Sequence, residues 1–227
     1  MPMPVGQLLQ VMKITLIHPS RGRAAKAFKT YCYWMALAAN KENIEHLLSI
    51  DSDDKEMSAY IDAFKSSQST IIVSDNTSVV DATNVAAKQS KGSILVYLSD
   101  DFKCPMHWDK LIIEKFQGIN SPLLIKVDDL LQKFNVAVLT IPIMNVHLYK
   151  KLGYFWHPEY KSMFVDEHLY HITNNNKWLS FAPELKFPHE HPCNGLAEND
   201  DTYRRSADNW NQGKELFAKH KSLNFPI

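Results

Sequence analysis

A short apolar run at residues 94–98, ILVYL, is followed at once by Ser99, Asp100 and Asp101. Such a run, with a glycine just before it, predicts a strand buried inside an α/β sheet. Two adjacent carboxylates at the end of a buried strand repel each other and lose solvation, which raises their pKa values unless a cation meets them. Ligands of open α/β sheets bind beyond the carboxyl ends of the strands. The run therefore predicts either a divalent metal site that faces a phosphate or a solvated loop with both Asp side chains in water.

Further apolar runs alternate with helical patterns along the chain. They predict three more strands, at residues 13–18, 44–50 and 70–73, separated by helices at residues 24–40, 55–65 and 79–89. This alternation predicts an α/β fold, with a mostly parallel central sheet and helices on both faces. Beyond the strand at 94–98 we expect a helix at residues 108–117, short strands at 123–127 and 137–140, and a stretch at 141–152 that ends at Gly153.

The composition favours one globular domain. The chain has 227 residues, 45% of them hydrophobic, which is enough to bury a full core. We expect the domain to span residues 12–192, with residues 193–227 as a C-terminal tail and helix that contact the same domain. Residues 1–11, which contain two prolines and a glycine, are expected to be a disordered lead-in or a cloning remnant.

Charge and cysteine content narrow the classes of partner and compartment. The formal net charge is zero, so no overall field attracts nucleic acid or a membrane surface. The three cysteines are widely spaced, which argues for a reducing compartment. No apolar run approaches the roughly eighteen residues of a membrane span. We therefore expect a soluble, cytoplasmic protein without a nucleic-acid partner or a membrane span.

Polar residues follow the predicted strands where a nucleotide could bind. Basic residues in a loop between a strand and a helix can hold a phosphate, although two loop arginines are more often simply solvated. Asp51 follows the second strand and could hold a ribose or a uracil ring, whereas we expect Asp53 or Asp54 to cap the next helix. Two phosphate-binding motifs, GxGxxG after the first strand and GxxxxGK[ST], are missing. The candidate donor-binding residues are Pro19, Ser20, Arg21, Arg23, Asp51, Asn76, Asn84 and Asp100.

Two histidines in the segment KFPHEHP, residues 186–192, form another candidate site. If this segment is extended, His189 and His191 point to the same face, because strand side chains alternate with period two. Together with a carboxylate they could complete a mixed oxygen and nitrogen site suited to manganese. A pair of surface histidines with no ligand is the alternative.

The order of these features resembles the nucleotide-sugar half of a family 2 type glycosyltransferase with the GT-A fold. The features that carry the resemblance are PSRGR after the first strand, Asp51 after the second, a helix with Asn84, and ILVYLSDDF. The resemblance places the family's DxD motif on residues 99–101, with serine at its first acidic position. It implies Asp101 as a metal ligand and Asp100 as a contact to the ribose or the metal. Some GT-A enzymes add a C-terminal histidine to the metal, which favours His191 and then His189.

A second stretch, KKLGYFWHPEYKSMFVDEHLYH, is similar to the acceptor side of the same family. There the family's catalytic base lies in an acidic pair at the start of a helix. The resemblance implies Asp166 as the base, with Glu167 as the alternative. An acid at this place suits inversion, because a carboxylate must take the proton from the acceptor hydroxyl. Acidic residues that stabilise a helix N-terminus would give the same pattern.

The resemblance implies a metal-dependent inverting glycosyltransferase of the hexosyltransferase type, with Mn²⁺ or Mg²⁺ as cofactor. The donor is expected to be a UDP-sugar or GDP-sugar, and the acceptor a glycan or another hydroxyl compound. Two alternatives remain. A binding protein of the same fold without turnover is favoured by Ser99, whereas a nucleotidyltransferase is disfavoured because Gly22 is the only glycine in the loop after the first strand.

Overall fold

The computed structural model describes residues 12–227, so the lead-in predicted for residues 1–11 lies outside the described residues. Seven strands form one sheet: β1 (Ile14–Pro19), β2 (Ile44–Asp51), β3 (Ser69–Ser74), β4 (Ile94–Tyr97), β5 (Leu124–Asp128), β6 (Ile143–Asn145) and β7 (Leu179–Lys186). Their order is β3-β2-β1-β4-β6-β5-β7. Only β6 runs antiparallel to its neighbours β4 and β5. The prediction of a mostly parallel α/β sheet is confirmed.

Helices lie on both faces of the sheet, as predicted. They are α1 (Ala24–Leu37), α2 (Met57–Phe64), α3 (Val79–Lys88), α4 (Trp108–Phe116), α5 (Val146–Leu152), α6 (Val165–Asn175), α7 (Asp201–Asp208) and α8 (Trp210–Ser222). Along the central strands, successive side chains point to opposite faces of the sheet. Leu16 and Val96 are buried with α1 and α4, whereas Ile17 and Leu95 are buried with α3, α5 and α6. None of these helices is both long and apolar enough to cross a membrane.

The strand predicted at residues 137–140 is wrong, because the structure places these residues in a loop. Side-chain hydrogen bonds, and not backbone pairing, fix this loop. The Lys126 ammonium donates to the Val136 carbonyl, and the Thr140 hydroxyl donates to Asp129. The strand of this region is β6, directly after Pro142, and it lies within the stretch predicted at 141–152. Strand β7 was not predicted from the sequence. Pro183 within it is tolerated because β7 is an edge strand.

Gly92 brings β4 close to β1. A Cβ atom at Gly92 would lie 2.7 Å from the Thr15 nitrogen and 2.8 Å from the Lys13 carbonyl oxygen, so no larger residue fits without displacing backbone. The close approach sets the parallel register in which Ile14 is opposite Ile94. That register places the residues after β4 beside the residues after β1.

Candidate functional site

Asp100 is held by the end of β1 and points into the protein. It is 8% exposed, and its two oxygens accept hydrogen bonds from His18 Nε2 at 2.8 Å and from Ser20 Oγ at 2.9 Å. The Arg23 guanidinium lies 4.0 Å from the same carboxylate. Side chains of the protein therefore compensate the charge of Asp100, and both of its carboxylate oxygens already have hydrogen-bond partners.

A chain of buried side chains continues from Asp100 across the sheet. His18 Nδ1 is 3.0 Å from His46 Nε2, and His46 Nδ1 is 2.7 Å from Ser69 Oγ. Hydrogen bonds can run in one direction from Ser69 through both imidazoles to Asp100, with each group donating to the next. Burial, and then the neighbouring His18, lower the pKa of His46 well below its ordinary value. The four parallel strands β1 to β4 are thus tied together at the position of Asp100.

Asp101 differs from Asp100 because one of its oxygens is unused. The side chain is 6% exposed; Oδ2 lies 3.3 Å from His189 Nε2 and accepts from the Tyr203 hydroxyl, while Oδ1 is buried with no hydrogen-bond partner among the described residues. Burial would raise the pKa of this carboxyl. A hydrogen bond and a favourable charge interaction with His189, helped by the Tyr203 hydroxyl, instead hold the Asp101 pKa well below its usual range. An ionised carboxylate with a free buried oxygen fits a hard divalent cation.

The segment after β7 brings the two predicted histidines to this place. His189 pairs with Phe102 in an isolated antiparallel bridge, and the Glu190 amide donates to the Asp101 carbonyl at 2.9 Å. The rings of His189 and His191 are 5.1 Å apart, but only His189 contacts Asp101. Within residues 12–227, Asp101, His189 and His191 do not form a tight group of three ligands.

Helix α7 covers Asp101 and Arg23. This contact was not predicted from the sequence. Asp200, the N-cap of α7, accepts a hydrogen bond of 2.8 Å from Arg23 Nε and a second one from the same guanidinium. The Arg23 guanidinium also lies 4.5 Å from the centre of the Tyr203 ring. Asp200 and Tyr203 of α7 therefore contact both the Arg23 guanidinium and the Asp101 carboxylate.

A second polar cluster lies at the ends of β2 and β3. Arg21 donates to Asp51 at 2.5 Å and to Asp53 at 2.9 Å, and Asn76 Nδ2 donates to Asp51 Oδ1 at 2.9 Å. Two of the predicted donor-binding residues, Arg21 and Asn76, thereby both contact a third, Asp51. The prediction that Asp53 or Asp54 caps the next helix is wrong, because the N-cap of α2 is Glu56. The Asp54 carboxylate instead accepts from the Glu56 amide, just before α2, and from the Gly22 amide.

Asn84 lies away from both clusters. Its Oδ1 accepts from the amides of Phe155 and Trp156 at 2.9 and 3.0 Å, and its Nδ2 donates to the Trp156 carbonyl at 2.7 Å. The unfavourable helix residue thus has a structural reason: it holds the backbone of the segment before α6. We do not include Asn84 in the proposed donor site.

Asp166 and Glu167 begin α6 but face different surroundings. The half-buried Asp166 interacts with Lys126, Asp129 and Tyr97, and the charges of Asp101 and Asp100 also act on the Tyr97 hydroxyl. Tyr97 is therefore near both acidic sites. Burial raises the pKa of Asp166, with a further contribution from Asp129. A carboxylate with a raised pKa is a stronger base.

Glu167 interacts with Tyr160 rather than with Tyr97. Burial, and then the charge of Asp166, raise its pKa. The residue before the helix, Phe164, has a left-handed backbone with φ of 69°, an uncommon conformation for a residue other than glycine. This turn directs the first residues of α6.

A cavity of about 450 Å³ opens beside Asp100 and Asp101. Its wall includes Lys26 on α1, together with Lys29 and Lys103. Lys26 is 3.6 Å from Asp200, and Lys103 is 3.2 Å from Glu190. The lining also includes four carboxylates, those of Asp100, Asp101, Glu190 and Glu198, and this mixture of charges suits a ligand that carries both phosphate and metal charge.

The sheet order, with one reversed strand after β4 and acidic residues at the carboxyl end of β4, defines the GT-A class of glycosyltransferase folds. Solved structures of this class superpose on the chain. The mannosyltransferase PcManGT from Pyrobaculum calidifontis, in complex with GDP-Man and Mn²⁺, aligns with a TM-score of 0.66 and 13% identity over 82% of this chain and 59% of its own. TarS 1-349 from S. aureus, in complex with UDP-GlcNAc, aligns with a TM-score of 0.61 and 12% identity over 82% and 62%.

The same S. aureus protein in complex with UDP aligns with a TM-score of 0.59 and 15% identity over 78% of this chain. The chain spans only 59% of the length of PcManGT and of this UDP complex. No family model matches the sequence, and no curated protein sequence matches it. At these identities the likeness shows the GT-A fold alone.

Proposed function

We propose that the chain is a metal-dependent inverting glycosyltransferase that moves a sugar from a nucleoside diphosphate sugar to an acceptor hydroxyl. One observation carries the proposal above the others. Asp101, ionised and with an unpartnered buried oxygen, lies at the carboxyl end of β4 beside His189, and the charges of Asp101 and Asp166 both act on the Tyr97 hydroxyl. A metal ligand and a base near the same tyrosine are the two groups that this reaction needs.

The donor is proposed to be a UDP-sugar or GDP-sugar. Structures of the same fold were solved with GDP-Man and with UDP-GlcNAc, both of which carry hexoses, and we therefore favour hexosyl transfer. The cluster of Arg21, Asp51 and Asn76 at the ends of β2 and β3 would take the base and ribose. The diphosphate would lie near Ser20, Arg23 and the lysines of the cavity, where cations offset its charge.

Asp101 is the proposed principal ligand of Mn²⁺ or Mg²⁺, with His189 and then His191 as nitrogen ligands and Asp100 holding the loop. The bound cation would neutralise the charge that develops on the departing diphosphate. Carboxylate and imidazole ligands together suit manganese. The free Oδ1 atom of Asp101 supports this assignment, because a buried carboxylate oxygen without a partner is costly.

Asp166 is the proposed catalytic base, with Glu167 as the alternative. The acceptor oxygen would form its bond to the anomeric carbon as the bond from that carbon to the diphosphate oxygen breaks on the opposite face. The acceptor proton would pass to Asp166, and the nucleoside diphosphate would leave with the bonding electrons. The raised pKa of Asp166 supports this role, since it brings the base closer to the pKa that proton transfer requires.

Donor binding is tested by thermal unfolding with a panel of nucleoside diphosphates, each with and without Mn²⁺. We expect one nucleotide to raise Tm by about 5–10 °C near a hundredfold excess over its Kd, only with metal. Asp101→Asn should abolish the shift, and Asp62→Asn, on the exposed face of α2, should keep it. If no nucleotide stabilises the protein with any metal, the donor site is wrong.

Catalysis is tested by release of nucleoside diphosphate from the matching sugar donor with a panel of hydroxyl acceptors. Asp166→Asn should keep the nucleotide-dependent Tm shift and lower transfer by roughly 10²–10⁴-fold, the usual contribution of a general base. Glu167→Gln is the matched control and should transfer near the wild-type rate. The reverse pattern would assign the base to Glu167, and binding without release by any acceptor would favour the binding protein that Ser99 allows.

A further inference from the structure

Three histidines from distant parts of the chain meet on the face of the sheet opposite α1. His157 lies between α5 and α6, His168 is on α6, and His220 is on α8. One ring nitrogen from each lies within 4.8 Å of the other two, and the ring centres are 4.6–4.8 Å apart. Within residues 12–227 this is the only such group of three histidine, cysteine or acidic side chains. None of them belongs to the proposed donor site.

Two ring nitrogens of this cluster are buried and have no hydrogen-bond partner among the described residues. His168 is 1% exposed and its Nε2 has no hydrogen-bond partner among the described residues; His220 is 4% exposed and its Nδ1 also has none. An unpartnered buried polar atom costs about 1–3 kcal/mol. Two such atoms in one cluster indicate that a group outside the chain completes it.

The surroundings match a metal ligand set. Glu159 Oε2 lies 3.3 Å from His220 Nε2, which leaves the buried Nδ1 as the nitrogen without a partner. Histidine ligands of metals commonly donate their second ring N–H to a carboxylate, which orients the ring. Burial lowers the pKa of His157 to about 4 and that of His168 to about 3, so both offer a lone pair at neutral pH.

We propose that His157, His168 and His220 bind one Zn²⁺ ion, with Glu159 as the outer partner of His220 and a water molecule in the fourth position. Three imidazoles with one open position are an established zinc ligand set. At Zn–N distances of about 2.0–2.1 Å the nitrogens of a tetrahedral site are about 3.4 Å apart, so the rings must draw together slightly. The ion would join α8 and the segment before α6 to the helix that carries Asp166.

The test uses the full chain with Asp101→Asn, treated with a chelator and then titrated with Zn²⁺, so that zinc at the proposed donor-metal site does not contribute. We expect one Zn²⁺ per chain and a raised Tm. His157→Gln, at a half-buried position, should weaken zinc binding by at least the roughly 10–100-fold that loss of an outer partner causes. Glu159→Gln, which alters the outer partner itself, should weaken zinc binding by roughly 10–100-fold. His171→Gln, also on α6 but outside the cluster, should bind zinc like the parent.

Co²⁺ provides a second readout that needs no histidine variant. The Asp101→Asn chain should give the visible absorption of four-coordinate Co²⁺, and Zn²⁺ should remove it. Absence of stoichiometric Zn²⁺ and of this absorption would overturn the proposal, as would zinc affinity that His157→Gln leaves unchanged. Neither outcome bears on nucleotide binding, which is measured separately with Mn²⁺ and an intact Asp101.

Discussion

Two neighbouring aspartates at the end of β4 have opposite roles because their side chains point in different directions. Asp100 is saturated by His18 and Ser20, and it organises the strand ends. Asp101 keeps one buried oxygen without a partner and is available to a ligand. Substituting each one in turn should therefore separate folding from binding.

Asp100→Asn is expected to lower the free energy of unfolding by about 1–3 kcal/mol. The asparagine amide group must face either His18 or Ser20, so one buried donor loses its acceptor. Urea unfolding at pH 7.5 measures the change. Asp62→Asn on the exposed surface of α2 is the control and should change stability by less than about 0.5 kcal/mol. Equal stability of Asp100→Asn and the parent would contradict the role of Asp100.

At the scale of elements, α7 and α8 decide what the site can contact. Helix α7 places Asp200 and Tyr203 on Arg23 and Asp101, and α8 lies against the start of α6. Both helices, α7 and α8, belong to the last thirty residues of the chain. The proposed donor diphosphate would have to displace the Asp200 carboxylate before it could reach Arg23.

Asp200→Asn is expected to raise the affinity for the nucleoside diphosphate by roughly threefold to tenfold. It removes a carboxylate that competes for Arg23, whereas asparagine keeps the N-cap hydrogen bonds of α7 to Thr202 and Tyr203. Calorimetric titration with the stabilising nucleotide and Mn²⁺ measures the change. Asp201→Asn, next in the chain and exposed, should not alter affinity. A weaker affinity in Asp200→Asn would mean that Asp200 assists binding.

Gly213→Ala should destabilise the protein by about 1–3 kcal/mol, although alanine normally favours a helix. A Cβ atom at Gly213 would lie 2.4 Å from the Met163 carbonyl oxygen, so α8 must move away from the residues before α6. Gln212→Ala, exposed on the same helix, is the matched control. Urea unfolding distinguishes the two, and a stabilised Gly213→Ala variant would show that this contact can open without cost.

At the scale of the whole molecule, parallel strands carry the polar groups of the site to one edge and helices fill both faces. The prediction of this architecture from the sequence succeeded because hydrophobic periodicity reports local structure and burial. The prediction failed at residues 137–140, where apolar residues lie in a loop held by the Lys126 and Asp129 side chains. Strand β7 was missed because Pro183 interrupts a run that pairs only along one edge.

Global stability should fall as the pH drops below about 6.5, because the unfolded state then binds protons that buried His46, and likewise His157 and His168, resist in the folded state. The depressed pKa of His46 means that this part of the stability is fully present above pH 6.5 and is lost between there and its folded value. His46→Gln should reduce the slope by up to about 1.4 kcal/mol per pH unit. Urea unfolding of the chelator-treated protein between pH 7.5 and 5.5 measures this slope. Identical slopes would show that His46 titrates normally.

The sequence by itself determined the α/β alternation, the strands β1 to β4 and the polar residues that follow them, because each depends on neighbours a few positions away. Asp101, His189 and Asp166 were among the residues it selected. Only the tertiary structure decided which partner each one meets. Arg23 and Asp200 are 177 positions apart, and Asp101 and Tyr203 are 102 apart. The three histidines come from a loop and two helices. Contacts at such separations depend on how the elements pack in space, which no local periodicity encodes.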